Sequence, residues 1–183
     1  SVTADENGSW SFTPETGLTD GEHAFTVNVT DAAGNTSPAT AAGSIIIDTT
    51  PPGASDIVIT DNTGPVSGTI TEGGVTDDTT PTISGKTEPG SSVVILDNGV
   101  AIGTVIADAN GHWSFTPETA LDDGEHALTL TITDPSGNTS NSLPAGVIVV
   151  DTSAPAAATS LLITDDVGTK TGALTNGSVT DDS

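Results

Sequence analysis

The sequence predicts an all-β protein built from small antiparallel β-sandwich domains in tandem, with no helices of note. Three observations carry this expectation. Thr, Val, Ile and Gly recur throughout, and no segment keeps a 3.6-residue apolar stripe over three turns. Short apolar runs are punctuated at regular intervals by Pro, Gly, Asn and Asp, the pattern of strands joined by tight turns. The third observation is that the chain repeats itself.

Ala4-Asp5-Glu6-Asn7-Gly8-Ser9-Trp10-Ser11-Phe12-Thr13-Pro14-Glu15-Thr16 returns as Ala107-Asp108-Ala109-Asn110-Gly111-His112-Trp113-Ser114-Phe115-Thr116-Pro117-Glu118-Thr119, an offset of 103 positions. The match runs on through Asp20–Ala24 against Asp123–Ala127, Gly34–Ser37 against Gly137–Ser140, and Asp48-Thr49 against Asp151-Thr152. Roughly three residues in five are identical over this block. After a one-residue slip, Ile59-Thr60-Asp61 matches Ile163-Thr164-Asp165, and Val75–Asp78 matches Val179–Asp182. A period of this length is that of one small globular domain and too long for a solenoid repeat. The register divides the chain into the C-terminal half of a first repeat (1–49), a complete repeat (50–152) and the N-terminal part of a third (153–183), the arrangement expected of a piece of a longer array.

Within the complete repeat the strands can be placed in order. Residues 57–59, all β-branched, and 82–84, Thr-Ile-Ser, form the first two. Residues 92–96 follow, and Asp97-Asn98-Gly99 supplies a hairpin turn of the Asn-Gly type into 101–107. Ala109-Asn110-Gly111 turns into 112–116. The clearest strand is 127–133, with Leu128, Leu130 and Ile132 on one face and Thr on the other. Residues 146–150 close the unit. About seven short strands with evenly spaced turns indicate a sandwich of immunoglobulin type. The spacing of two in Trp113 and Phe115 puts both rings on one face, as a plug between the sheets, and Trp10 and Phe12 take the same role in the preceding repeat. An exposed sugar-stacking platform is the competing assignment for these rings. His23 and His126 occupy equivalent positions before the long strand and His112 has no counterpart, so the three read as turn residues and not as zinc ligands.

Composition excludes several functions. With 25 Asp and Glu against two Lys, the formal charge of −23 leaves nothing to neutralise phosphates, so no nucleic-acid partner is expected. No apolar run reaches the ~18–20 residues of a membrane span. The absence of Cys removes disulfides, zinc-thiolate sites and a thiol nucleophile, leaving metal binding as the substitute staple for an extracellular protein. No charged-then-apolar signal segment opens the chain.

The chain resembles the bacterial immunoglobulin-like repeats of giant surface adhesins, the biofilm-associated proteins exported by type I secretion. The motifs that carry the resemblance are Asp48-Thr49-Thr50-Pro51-Pro52 at a repeat boundary, Asp77-Asp78-Thr79-Thr80-Pro81-Thr82-Ile83-Ser84-Gly85, Glu88-Pro89-Gly90-Ser91, Asn110-Gly111-His112-Trp113-Ser114-Phe115, and Thr133-Asp134-Pro135-Ser136-Gly137-Asn138-Thr139-Ser140. They span essentially the whole chain. The resemblance implies an extracellular location at the bacterial cell surface, a sandwich fold, calcium at or near domain junctions, and a role as a stalk or matrix-binding rod. The second linker, Asp151-Thr152-Ser153-Ala154-Pro155, departs from the pattern by replacing the first Pro of the pair with Ala, which predicts a looser hinge there.

Many Asp residues fall in loops, beside Gly, Asn or Thr, and at matching places in successive repeats. Ca²⁺ takes six to eight oxygen ligands in irregular geometry, which loop carboxylates and carbonyls can supply. No helix-loop-helix calcium motif or Gly-rich nonapeptide repeat is present, so a site would be assembled from separate loops. Asp48, Glu88, Asp108, Asp134 and Asn138 should gather where a repeat begins and form an inter-domain Ca²⁺ site, not all as direct ligands. At the other pole a long loop holding Asp61, Asp77 and Asp78 faces Asp122, Asp123 and the exit linker Asp151, a second candidate. The competing assignment for each is a capped turn, in which the carboxylate satisfies its own loop amides without metal.

The expected function is therefore structural and adhesive: a Ca²⁺-stiffened stalk in cell adhesion and biofilm formation, whose partners are neighbouring repeats and a matrix polysaccharide, host or cell surface. Ca²⁺-dependent carbohydrate binding is the alternative. Catalysis is not expected. Acid pairs such as Asp77/Asp78 and Asp122/Asp123 diverge in a turn, whereas glycoside cleavage needs two acids set about 5–9 Å apart across a cleft.

Overall fold

The computed structural model describes residues 1–159, 162–165 and 171–175. The chain divides into two compact units, Ser1–Thr152 and Ser153–Ser183. In the first, β1 (Gly21–Val27) and β2 (Thr40–Ile47) form a two-stranded antiparallel sheet. They are followed by β3 (Ser55–Asp61), β4 (Gly68–Ile70), β5 (Gly74–Thr76), β6 (Thr82–Lys86), β7 (Ser92–Asp97), β8 (Val100–Ile106), β9 (His112–Phe115), β10 (Gly124–Thr133) and β11 (Leu143–Val150). These nine strands make two sheets, ordered β4-β3-β6-β9 and β5-β11-β10-β7-β8. The second unit, taken by itself, contains β12 (Ile163–Asp165) paired antiparallel with β13 (Gly172–Leu174). Its register, Ile163 opposite Leu174 and Asp165 opposite Gly172, reproduces that of β3 on β4, Ile59 opposite Ile70 and Asp61 opposite Gly68. The expected counterpart of Val75–Asp78 at Val179–Asp182 lies outside the described residues.

The period-two pattern in the sequence decides which side of each strand is buried. Along β10 every second residue, from His126 to Ile132, is buried, so Leu128, Leu130 and Ile132 enter the core while the intervening Thr residues stay nearer the surface. Val93 and Ile95 on β7, Ile83 on β6, and Ile148 and Val150 on β11 meet them between the sheets. Trp113 completes the plug, and Phe115 packs beside the core. Both rings rest on glycines. A Cβ at Gly85, paired with Trp113 across β6 and β9, would come within 2.8 Å of the indole, and one at Gly103 would strike the Phe115 ring.

Three expectations need correction. The stretch 61–78, which the sequence presents as a long loop, contains β4 and β5; both strands are three residues long and Gly-flanked, too short to alternate. The strand count rises from seven to nine, and β5 pairs parallel with β11 in a sheet otherwise antiparallel. Trp10 does not plug a core: it is 52% exposed where Trp113 is 4%, and Phe12 is exposed as well. The ring of Trp113 is covered because β9 pairs with β6, where the indole packs over Gly85, and residues 1–49 contain no counterpart of β6.

Candidate metal centre

Four acidic turns share one design. Asp5 Oδ1 accepts from the amides of Asn7 and Ser9, both at 2.8 Å, and Asp108 Oδ1 accepts from Asn110 and His112, also at 2.8 Å. Asp31 accepts from the Ala33 and Asn35 amides and from the Asn35 side chain at 2.9 Å. Asp134 accepts from the Asn138 amide at 2.9 Å and the Asn138 side chain at 2.8 Å. Amide donors favour the charged form, so the His112 and Asn110 amides hold Asp108 below its ordinary value, and the Asn35 side chain and amide do so for Asp31. At Asp134 burial pushes upward, but donors from Asn138, Gly137 and Ser136 outweigh it and the pKa is lowered.

The Asp134 turn does more than cap itself. Its loop reaches the linker that joins the half-repeat to the complete repeat. Asn138 Nδ2 donates to the carbonyl of Asp48 at 3.1 Å, and Ser136 Oγ donates to Asp48 Oδ2 at 3.1 Å. Glu88 comes from the turn between β6 and β7, which is held nearby: Gly90 approaches Pro135, and Thr87 Oγ1 donates to the carbonyl of Gly53 in the linker at 2.7 Å. One carboxylate oxygen each from Asp48, Glu88 and Asp134 lies within 4.8 Å of the other two. Asp134 is buried, Asp48 half-buried and Glu88 exposed. Lys86, the one Lys among the described residues, is paired with Asp56 at 3.1 Å. A cation bound there would set its positive charge among three carboxylates. The three carboxylates and the carbonyls beside them are hard oxygen donors, the set that suits Ca²⁺.

The structure thus brings together Asp48, Glu88, Asp134 and Asn138 of the first expected cluster, and leaves Asp108 in its own turn. At the other pole the candidates make separate contacts, and the carboxylates of Asp61, Asp78 and Asp123 accept hydrogen bonds from different partners. Asp61 Oδ2 accepts from Thr76 Oγ1 at 2.6 Å, and Asp78, fully buried, accepts from the Asn62 and Thr80 amides. Asp77 lies against Gly64. Asp123 Oδ1 accepts from the amide and hydroxyl of Thr152, and the Asp151 amide donates to the Thr76 carbonyl. Asp122 presents its carbonyl to His126 Nε2 at 2.8 Å. Among the described residues no three of these carboxylates converge as Asp48, Glu88 and Asp134 do.

Sequence reasoning missed two arrangements. Asp20 Oδ1 accepts from the amide and hydroxyl of Thr49, and its Oδ2 from the hydroxyl of Thr50, so the exit of each repeat is tied to the turn before its long strand. The signal was present: Asp20/Thr49 and Asp123/Thr152 recur at one spacing. His126 is the other. Its Nε2 donates to Asp122 O as His23 Nε2 donates to Thr19 O, and its Nδ1 meets Asp97 Oδ2 at 2.8 Å. Burial opposes a charge on this ring, but with an acceptor at each nitrogen the pKa is raised.

A family model described as bacterial Ig-like domain matches residues 1–49 and again 54–152. A search of curated proteins finds no significant match. Bacterial Ig-like domains are commonly found in surface or extracellular proteins and are typically non-catalytic.

Proposed function

The chain belongs to the bacterial Ig-like domain family, and from that premise we propose that it is a spacer segment of an extracellular bacterial adhesin whose repeat junction is stiffened by Ca²⁺. The observation that carries this reading is the three-carboxylate group at Asp48, Glu88 and Asp134, because its members come from the linker and from two loops of the repeat that follows. An ion there would add bonds between the linker and the domain and remove hinge states. The linker is already restrained by Asn138 and Ser136 on Asp48, by Asp20 on Thr49 and Thr50, and by a Pro pair that favours extended chain, with Pro52 buried. Extracellular Ca²⁺ modules bind at about 10⁻⁴–10⁻³ M, so millimolar calcium would occupy such a site. Near-copies in tandem serve a tether, which gains reach with each repeat, and cell adhesion and biofilm attachment through a matrix polysaccharide or a host surface are the roles such a tether would serve.

The chain has no Cys, so paired spin labels can be placed cleanly. With Ser44→Cys on β2 and Ser114→Cys on β9, both exposed, millimolar Ca²⁺ is expected to narrow the label-to-label distance distribution relative to chelator. An identical distribution in calcium and chelator counts against the stiffening role.

A further inference from the structure

Tension on a tether enters a repeat at one end and leaves at the other, and in the complete repeat a buried polar group joins the entry strand to the exit strand. The linker comes in beside the Asp134 turn, where β10 finishes, and the chain leaves at Thr152 beside Asp123, where β10 begins, so tension acts along the strands. The entry strand is β3 and the exit strand β11, and they belong to different sheets. Next to β11 lies β5, parallel to it in a sheet otherwise antiparallel, with Gly74 opposite Ile148, Val75 opposite Val149 and Thr76 opposite Val150. Main-chain bonds lengthen this short pairing at both ends: the Gly73 amide donates to the Val147 carbonyl at 2.7 Å, and the Asp151 amide to the Thr76 carbonyl at 2.9 Å. Side chains then tie β5 to the end of β3. Thr76 Oγ1 donates to Asp61 Oδ2 at 2.6 Å and accepts from the Asp78 amide at 3.1 Å, while Asp78 Oδ2 accepts from the Asn62 amide at 2.8 Å. Asp61, Thr76 and Asp78 are buried, where a hydrogen bond is stronger than in water.

We propose that these residues form a mechanical clamp: tension on β3 passes through Asp61 and Asn62 to Thr76 and Asp78, and from β5 across the parallel ladder to β11. The direction of the strands gives the clamp its strength. Thr76 ends β5 and sits opposite Val150, which ends β11. A pull on β3 toward the entry and a pull on β11 toward the exit therefore slide β5 and β11 lengthwise past each other. The evenly spaced bonds of a parallel pair are then strained together, whereas a strand peeled sideways from an edge loses its bonds one at a time. Glu72 adds to the same contact, its Oε2 accepting from the Val147 amide at 3.1 Å. The clamp also accounts for a polar group buried at one end of an aliphatic core, where it ties together strands of two sheets. The purpose of a clamp rests on the tether reading, but its strength does not depend on calcium.

Single-molecule force spectroscopy on the full chain tests this, because forced unfolding follows the unfolding rate and not equilibrium stability. The chain has no Cys, so thiol handles can be placed at chosen pairs of sites. Handles at Ser1→Cys and Ser183→Cys load the complete repeat along its strands, and its unfolding is recognised by the contour length released by residues 55–150. Handles at Thr69→Cys on β4 and Thr104→Cys on β8, exposed positions on edge strands, load the same domain across its strands. In chelator, the end-to-end pull is expected to need a several-fold higher force than the cross-strand pull. Thr76→Val, which removes the hydroxyl bound to Asp61, should lower the end-to-end force and leave the cross-strand force nearly unchanged. Ile132→Ala, in the β10 core outside this path, should lower both forces alike. Equal forces in the two directions overturn the proposal without any core variant having to fold. So does an end-to-end force that Thr76→Val lowers no more than Ile132→Ala does, which would assign the resistance to the pairing of β3 with β6. Since every pull is made in chelator, a failed clamp leaves the calcium reading of the junction standing.

Discussion

At the residue scale, close packing and paired acceptors make the sharpest predictions. Gly85 leaves no room for a side chain under Trp113, with the indole 2.8 Å and the Ser55 carbonyl 3.1 Å from where a Cβ would sit. Gly85→Ala should therefore destabilise the complete repeat by about 1–3 kcal/mol in chemical denaturation, the usual cost of overpacking. His126 makes stability depend on pH. Its folded pKa is raised above 6.5 by the Asp122 carbonyl and the Asp97 carboxylate against the opposing effect of burial, so its protonated form is favoured in the folded state. That contribution is fully present below pH 6.5 and is lost as pH rises through the raised value. Denaturation midpoints should fall between pH 6 and pH 9, and His126→Asn should flatten that slope. Asp108 and Asp134, both lowered, act in the opposite sense: their contribution is present above the ordinary carboxylate value of 3.8 and is lost as pH falls below it. The capped turns were legible in the sequence from Asp followed by Gly and Asn. The Asp97–His126 contact was not, because its partners lie 29 positions apart on different strands.

At the element scale, the same strand in two settings separates sequence from context. β1 and β10 share their alternation and their pairing with the following strand, including a bulge at the same place, between Phe25 and Thr26 and between Leu128 and Thr129. Yet only β10 has a sheet packed over its inner face. Ile132→Ala should cost about 2–5 kcal/mol, the range for emptying a buried aliphatic site. Val29→Ala, at the counterpart position, should change stability by no more than about 0.5 kcal/mol, as exposed substitutions do. Equal losses in thermal or urea denaturation would contradict the exposure difference. The long strand β10 was readable from period two, with Leu128, Leu130 and Ile132 alternating with Thr. The three-residue β4 and β5 were not. Three residues cannot display alternation, and the parallel pairing of β5 with β11 is a long-range contact with no local signature.

At the scale of the whole molecule, the repeat arithmetic located the junction, and the junction gathers the acidic side chains that matter. Asp48 could be placed at a boundary from Asp-Thr-Thr-Pro-Pro alone, and Glu88 and Asp134 could be assigned to loops at the same pole. Which of five candidates would meet was not legible, because Asp108 and Asp134 look alike in sequence and only the Asp134 turn carries an Asn side chain across to the Asp48 carbonyl. The central claim is that Asp48, Glu88 and Asp134 hold a divalent cation across that junction. The most direct measurement is a calcium titration of the full chain followed by amide NMR, beside the Asp48→Asn/Glu88→Gln double variant. The account predicts saturable shifts centred on residues 48, 88 and 134–138, with half-saturation at about 10⁻⁴–10⁻³ M, that are lost in the variant. Shifts that are absent, or that persist unchanged in the variant, would contradict it.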